Sequence, residues 1–169
     1  ADARRKQEQG ETDMVNDCPR YFIVNFQIPD YAPANPVWGR NREDGPGYSY
    51  VSYWKITPEA EKELFGPMQD PAPQLYRRWV VNNAELHNRL KCIPKIMNVD
   101  DFNFGMPMRK MLTSYNAKPF LTGPDTHQFF MGPNYIEADV NVHKFCFLAR
   151  KAQYGLMANL PRVYVEVAF

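Results

Sequence analysis

Residues 134–142, NYIEADVNV, place apolar and polar side chains in strict alternation. Ile136, Ala138, Val140 and Val142 fall on one side, and Glu137, Asp139 and Asn141 on the other, with His143 next in line. Successive residues of a strand point to opposite faces, so this is a strand with one dry face. Gly132-Pro133-Asn134 precedes it, with Pro suited to the first central position of a turn and Asn to the second. Residues 118–131 read as a strand interrupted at Gly123-Pro124, so the two form an antiparallel hairpin. The dry face of a hairpin needs a second layer. Residues 144–159 offer one: Phe145, Leu148, Ala149, Ala152 and Leu156 recur at helical spacing until Pro161. Residues 162–169 alternate again, with Val163, Val165, Val167 and Phe169 on one side. The chain therefore ends helix, then strand.

The first half has the same mixed character. YFIVNFQI (21–28) and YSYVSYWKI (48–56) read as strands. Pro29 ends the first. Between them runs a Pro- and Gly-rich loop, 29–47, long enough to suggest a functional role, with Trp38 as its expected anchor. Thr57-Pro58 and Asp70-Pro71 are helix starts, a capping residue followed by Pro at the first position. The first helix stops near Gly66-Pro67. The second runs to about Asn82-Asn83, with Leu75, Trp79 and Val80 facing inward. A short turn at 84–89, a strand at 90–98 with Pro94 at an edge or bulge, and a short helix at 106–114 complete the set. The implied fold is α+β, a curved, mainly antiparallel sheet with helices packed on one face. Residues 1–18 read as a polar arm and 19–169 as a single domain.

Composition narrows the functional classes. A chain of 169 residues, 44% apolar, can enclose its own core. The net charge of +1 argues against bulk attraction to nucleic acid. Charge is uneven, however: residues 59–70 carry a net −3 and residues 77–118 a net +5. Cys18, Cys92 and Cys146 are odd in number and widely spaced, which suggests neither disulfides nor a zinc site and suits a reducing compartment. The longest uncharged run, 126–136, is well short of the ~18–20 residues of a membrane span. The polar start is no signal peptide. It begins with Ala1, as a processed chain or a piece of a longer protein would. A cytoplasmic or organelle-peripheral location is expected, rather than secretion.

Several segments together resemble a known family. Phe22–Pro29 (FIVNFQIP), Asn88–Ile96 (NRLKCIPKI), Phe120–Gly123 (FLTG) and Asn134–Val142 (NYIEADVNV) occur in the order found in the plant C-terminal domains typified by ENHANCED DISEASE RESISTANCE two. The resemblance covers roughly residues 19–169. It implies association with lipids and membranes, no known catalytic activity and no catalytic residues to carry over. The family's acidic turn before the Arg-Asn pair is replaced here by Val81–His87, and its Gly-Ser-Ser after the YIEADV strand by His143–Phe145.

The residues themselves leave three functions to weigh. The first is a non-enzymatic module that associates with lipid or another apolar ligand, peripheral to membranes. Its cavity would be lined by Tyr50, Trp54, Val140, Val142, Phe145, Leu148 and Ala152, with Arg77, Arg78, Lys144, Arg150 and Lys151 near an anionic head group. No cofactor is implied beyond a bound lipid or pigment. The second is a structural subunit of a larger assembly. The third is a small enzyme using Glu137 and Asp139, which point the same way on their strand; the wet face of that strand is the plainer reading. His87, His127 and His143 lack metal-ligand spacing, and His143 suits a capping role before the last helix. Cys92 and Cys146 read as inert buried thiols. Phe129, Phe130 and Met131 at the hairpin tip read as core rather than as an apolar wedge.

Overall fold

The computed structural model describes residues 18–169 apart from 36, 38, 40–42, 68–69 and 82–83. Trp38, the end at Asn82-Asn83 and the arm before Cys18 lie outside the described residues. The strands are β1 Tyr21–Pro29, β2 Gly47–Lys55, β3 Lys91–Ile96, β4 Phe120–Leu121, β5 His127–Met131, β6 Tyr135–Asn141 and β7 Val165–Ala168. The helices are α1 Pro58–Phe65, α2 Pro71–Val80, α3 Ala84–His87, α4 Met106–Tyr115 and α5 Phe147–Met157. The fold is α+β and ends helix then strand, with the strands distributed over two mainly antiparallel sheets, ordered β2-β1-β6-β5 and β4-β3-β7. The interrupted strand 118–131 is two strands, β4 and β5, in different sheets. The segment 84–89 forms the short helix α3 and a turn.

The hairpin forms as its pattern dictates. Phe129 lies opposite Ala138, and Met131 opposite Ile136. Gly132 N–H donates to Tyr135 C=O at 3.0 Å, which puts Pro133 and Asn134 at the centre of the turn. A Cβ on Gly132 would lie 2.1 Å from the Tyr135 ring, so a larger residue there would displace that ring. Ile136, Ala138 and Val140 are fully buried, while Glu137 and Asp139 are half-buried. Tyr21 N–H donates to Asn134 C=O, and further along both strands Asn25 Nδ2 donates to Asp139 Oδ1 at 3.1 Å. The two bonds advance in the same direction, so β1 and β6 run parallel.

Contacts cluster the chain into two compact units. One comprises residues up to 26, 50–88 and 127–140; the other comprises 27–49, 89–126 and 141–169. In the first, Cys18, Val80 and Ile136 form the core, with Phe22, Phe65, Tyr76, Trp79 and Phe129 packed on it. The Trp79 ring meets Phe22 and Phe129 edge-on, at 5.3 and 5.7 Å, an arrangement favoured by the ring quadrupoles. Thr57 Oγ1 caps α1 by accepting from Ala60 N–H, and Asp70 caps α2 by accepting from Ala72 N–H. Leu75 is exposed rather than inward-facing. The inward stripe of α2 is Tyr76, Trp79 and Val80, at i, i+3 and i+4, and Leu75 lies about 100° away from Tyr76 around the axis.

In the second unit β3 lies between β4 and β7. Pro94 is in mid-strand, paired with Val167 of β7. Its missing N–H leaves no gap, because β4 reaches only Lys91 and Cys92 on the other side. Beyond β4 the Asn116 side chain acts as a strand: Ile96 N–H donates to its Oδ1 at 2.7 Å, and its Nδ2 donates to Ile96 C=O at 2.9 Å. Ala117 follows in the left-handed region, φ 57°. α5 begins at Phe147, since residues 142–144 form a 3-10 turn. Its one fully inward side chain is Arg150, and Leu148 is exposed. Gly155 lies against Met108 of α4, where a Cβ would come within 2.4 Å of the Met108 methyl.

Ile136→Ala is expected to lower unfolding free energy by roughly 2–5 kcal/mol and Ile136→Val by about 1 kcal/mol. Leu75→Ala is expected to stay within about 0.5 kcal/mol of the parent. Denaturant unfolding midpoints of the three variants check the ranking; equal losses at 75 and 136 would contradict the assigned core.

Candidate functional site

The most developed polar constellation lies in the second unit. Tyr31 follows β1, His143 sits in the 3-10 turn Val142–Lys144, and Arg150 is on the second turn of α5. Asn141 Oδ1 accepts from His143 N–H at 3.0 Å and so fixes the turn. The Tyr31 hydroxyl and His143 Nδ1 share a hydrogen bond of 2.8 Å. The Arg150 guanidinium lies over the Tyr31 ring, 5.2 Å from its centroid, a cation–π contact strengthened by burial. His143 is therefore no cap of α5, whose capping position is Cys146. Its ring has a tertiary partner 112 positions away.

Arg150 is only 2% exposed, yet its Nε and Nη2 have no hydrogen-bond partner. A buried cation without a full set of acceptors is costly. Its charge is felt at His143, whose pKa lies below the ordinary 6.5. Burial is the main cause and Arg150 the second, with Asp44 acting in opposition. The imidazole is thus held neutral near pH 7.

Its free edge faces a cleft. A Cβ built on Gly47 would lie 3.2 Å from His143 Nε2 and 2.3 Å from Ile28 C=O, so glycine at 47 leaves the edge open. The cleft holds about 280 Å³ and is lined by His143, Asn141, Gln27, Glu43, Asp44 and Tyr48, among others. All its lining residues belong to the second unit. Hydrogen bonding to the Asp30 carboxylate, and its charge, raise the Tyr48 pKa.

The first unit holds a different cluster. The buried His87 ring stacks on Phe129 at 4.4 Å and meets Trp79 edge-on at 5.4 Å. Burial pulls its pKa below 6.5, and a hydrogen bond to the Trp79 backbone opposes the shift. His127 Nε2 pairs with Asn88 Oδ1 at 3.2 Å. These histidines complete an aromatic core. Cys18 and Cys92 are buried, their thiols pushed up to about 11 and about 12, which disfavours the nucleophilic thiolate. Cys146 is exposed, contrary to its reading as a buried thiol, because it caps α5 instead of facing inward. Among the described residues no group of three or more His, Cys, Asp or Glu could hold a metal ion.

The expected apolar site is divided between the units. Tyr50, Trp54 and Val140 belong to the first, and Val142, Phe145, Leu148 and Ala152 to the second. Val140 and Val142 are buried, Phe145 and Ala152 half-buried, and Tyr50, Trp54 and Leu148 exposed. Arg77 and Arg78 lie on the last turn of α2, and Lys144 and Lys151 are exposed in the second unit. Arg150 is the exception among these cations, being covered and directed onto Tyr31. Glu137 and Asp139 do interact. Burial, then the Asp139 charge and a hydrogen bond to it, raise the Glu137 pKa. The hairpin tip is mixed: Phe129 is packed, whereas Phe130 and Met131 are exposed, because β5 ends its sheet.

Tyr31, Glu43 and Asp44 were not among the residues expected at a site. The long Pro- and Gly-rich loop was the only sign of them, and no local pattern links Tyr31 to His143. The aromatic residues of β2 are exposed on both faces of the strand: Tyr50 at 61% and Trp54 at 44% on one, and Tyr53 at 72% on the other.

His87 and His143 are predicted to titrate below 6.5 in two-dimensional NMR. Both folded pKa values are depressed, so their share of stability is full above about 6.5 and is lost as pH falls through the folded values. Arg150→Met is expected to raise the His143 pKa and to leave stability unchanged or improve it by roughly 1–4 kcal/mol. A His143 titration unmoved by that change would contradict the assigned role of Arg150.

The chain matches, over residues 2–169, the family model described as Protein ENHANCED DISEASE RESISTANCE 2, C-terminal. No curated protein and no solved structure matches it. With nearly the whole chain covered by that model, the protein belongs to the ENHANCED DISEASE RESISTANCE 2 C-terminal family.

Proposed function

We propose that this chain is a non-enzymatic module that attaches reversibly to a lipid surface through the aromatic residues of β2. The observation that carries the reading is the exposure of Tyr50 and Trp54 on one face of the edge strand β2 and of Tyr53 on its other face. Such side chains combine an apolar ring with a polar tip, the chemistry suited to the boundary between head groups and acyl chains. Immersing about 100 Å² of each ring at ~25 cal/mol per Å² is worth roughly 2–3 kcal/mol apiece. The loss of free motion on binding offsets part of that, which leaves weak, reversible attachment. Among the described residues no helix is long and apolar enough to cross a membrane, so a surface mode suits this part of the chain.

A second reading rests on the sheet order. Among the described residues β2 has a neighbouring strand on one side only. An exposed nine-residue edge strand can accept a strand from another chain, which would make the protein an assembly subunit.

Flotation with phosphatidylcholine vesicles, with and without anionic lipid, separates the two. The expected result is co-flotation with a blue shift of tryptophan emission. Tyr50→Thr combined with Tyr53→Thr should reduce binding about tenfold or more, while the unfolding midpoint stays close to the parent because both rings are exposed. Protein that stays with the aqueous phase, and runs as a dimer or larger species that the same variant dissociates, would reject the lipid reading for the assembly one.

A further inference from the structure

The cleft in the second unit has a chemistry of its own, apart from the exposed Tyr50, Tyr53 and Trp54 of β2. We infer that it binds an uncharged polyhydroxylated ring, a hexose or cyclitol, at the free edge of His143. Three observations lead there.

The first is that the histidine is directed. His143 is 8% exposed, its Nδ1 is occupied by Tyr31, and it lines the cleft beside Gly47. With one ring nitrogen engaged and the ring neutral, Nε2 either donates or accepts, according to how the Tyr31 hydroxyl is turned. A ligand hydroxyl meets either state, because it can both donate and accept. An ammonium ion requires an acceptor and a phosphate a donor.

Charge is the second. Glu43 and Asp44 line the cleft and oppose an anion. The buried Arg150 lies over Tyr31 and acts on His143, which offsets part of the attraction of the two carboxylates for a cation. A neutral ligand escapes both.

The third is the kind of lining. Carboxylates accept paired hydroxyls, and the Asn141 amide brings a donor. The Asn141 Oδ1 is already taken by the His143 backbone, which turns its Nδ2 to other partners. The Tyr48 ring lines the cleft and offers a flat apolar wall of the kind on which the C–H face of a sugar packs. About 280 Å³ is the size of a single ring rather than a long chain.

The test is a titration of the full chain, followed through the His143 imidazole signals by NMR, with glucose, galactose, myo-inositol, choline and inorganic phosphate. At least one neutral ring should saturate, with a Kd in the millimolar range, and choline and phosphate should not. Glu43→Gln with Asp44→Asn should weaken that binding about tenfold or more. His143→Gln should do the same, and the exposed acids keep the test decisive if that variant folds poorly. Saturation by choline or phosphate alone, neutral binding that ignores the acid substitutions, or no saturation by any probe at about 100 mM would each overturn the proposal. Vesicles with and without a hexosyl lipid identify the source of the ring. Extra binding competed by free hexose indicates a lipid head group, and equal binding indicates a soluble sugar; either supports the site. Tyr50→Thr and Tyr53→Thr should leave the hexose titration intact, so failure of the lipid-surface reading is seen separately.

Discussion

The dry face of β6 organises the first unit. Ile136, Ala138 and Val140 are all fully buried, and every second residue between them carries a polar group to the other side. A shift of one residue in register would exchange those faces and bury Glu137 and Asp139 without compensation. The pairing with β5 is therefore strongly specified, and the glycine turn at 132 closes it. Trp79 and Phe129 meet around Ile136, so the packing of α2 depends on the same register.

The second unit is built on a less economical device. Arg150 occupies the inward position of α5, where an apolar residue would pack at lower desolvation cost. It rests on Tyr31, Tyr31 fixes one edge of His143, and the other edge faces the cleft. Burial, with the buried cation second, keeps that imidazole neutral at the wall of a polar site. Structural reasons alone would favour Met or Leu at 150. The guanidinium at 150 links the packing of α5 to the chemistry proposed for the cleft.

Much of the fold was legible. The hairpin turn at Gly132-Pro133-Asn134, the caps at Thr57 and Asp70, the helix near 106–114 and the final strand all follow from patterns a few residues long. Sequence and structure differ where orientation depends on distant partners. Leu75 and Leu148 are apolar residues at plausible spacing, yet both face out, because helical spacing admits neighbouring stripes and only packing chooses between them. Pro94, by contrast, sits at a local edge as its residue type suggests, since β4 ends before it.

The site was legible only in part. His143 and Asn141 stood out beside the YIEADV strand, and the long loop was flagged for its length. Their meeting was invisible, because the bond between Tyr31 and His143 spans 112 positions and neither residue type predicts it. By itself the sequence determined the α+β class, the family and the dry face of β6, since alternation, caps and ordered motifs are local properties of the chain. Tertiary structure alone decided that the strands divide into two sheets, that Arg150 lies inward and that a histidine opens onto a polar cleft. Those outcomes depend on long-range packing and on the electrostatic cost of burial, neither of which a local pattern encodes.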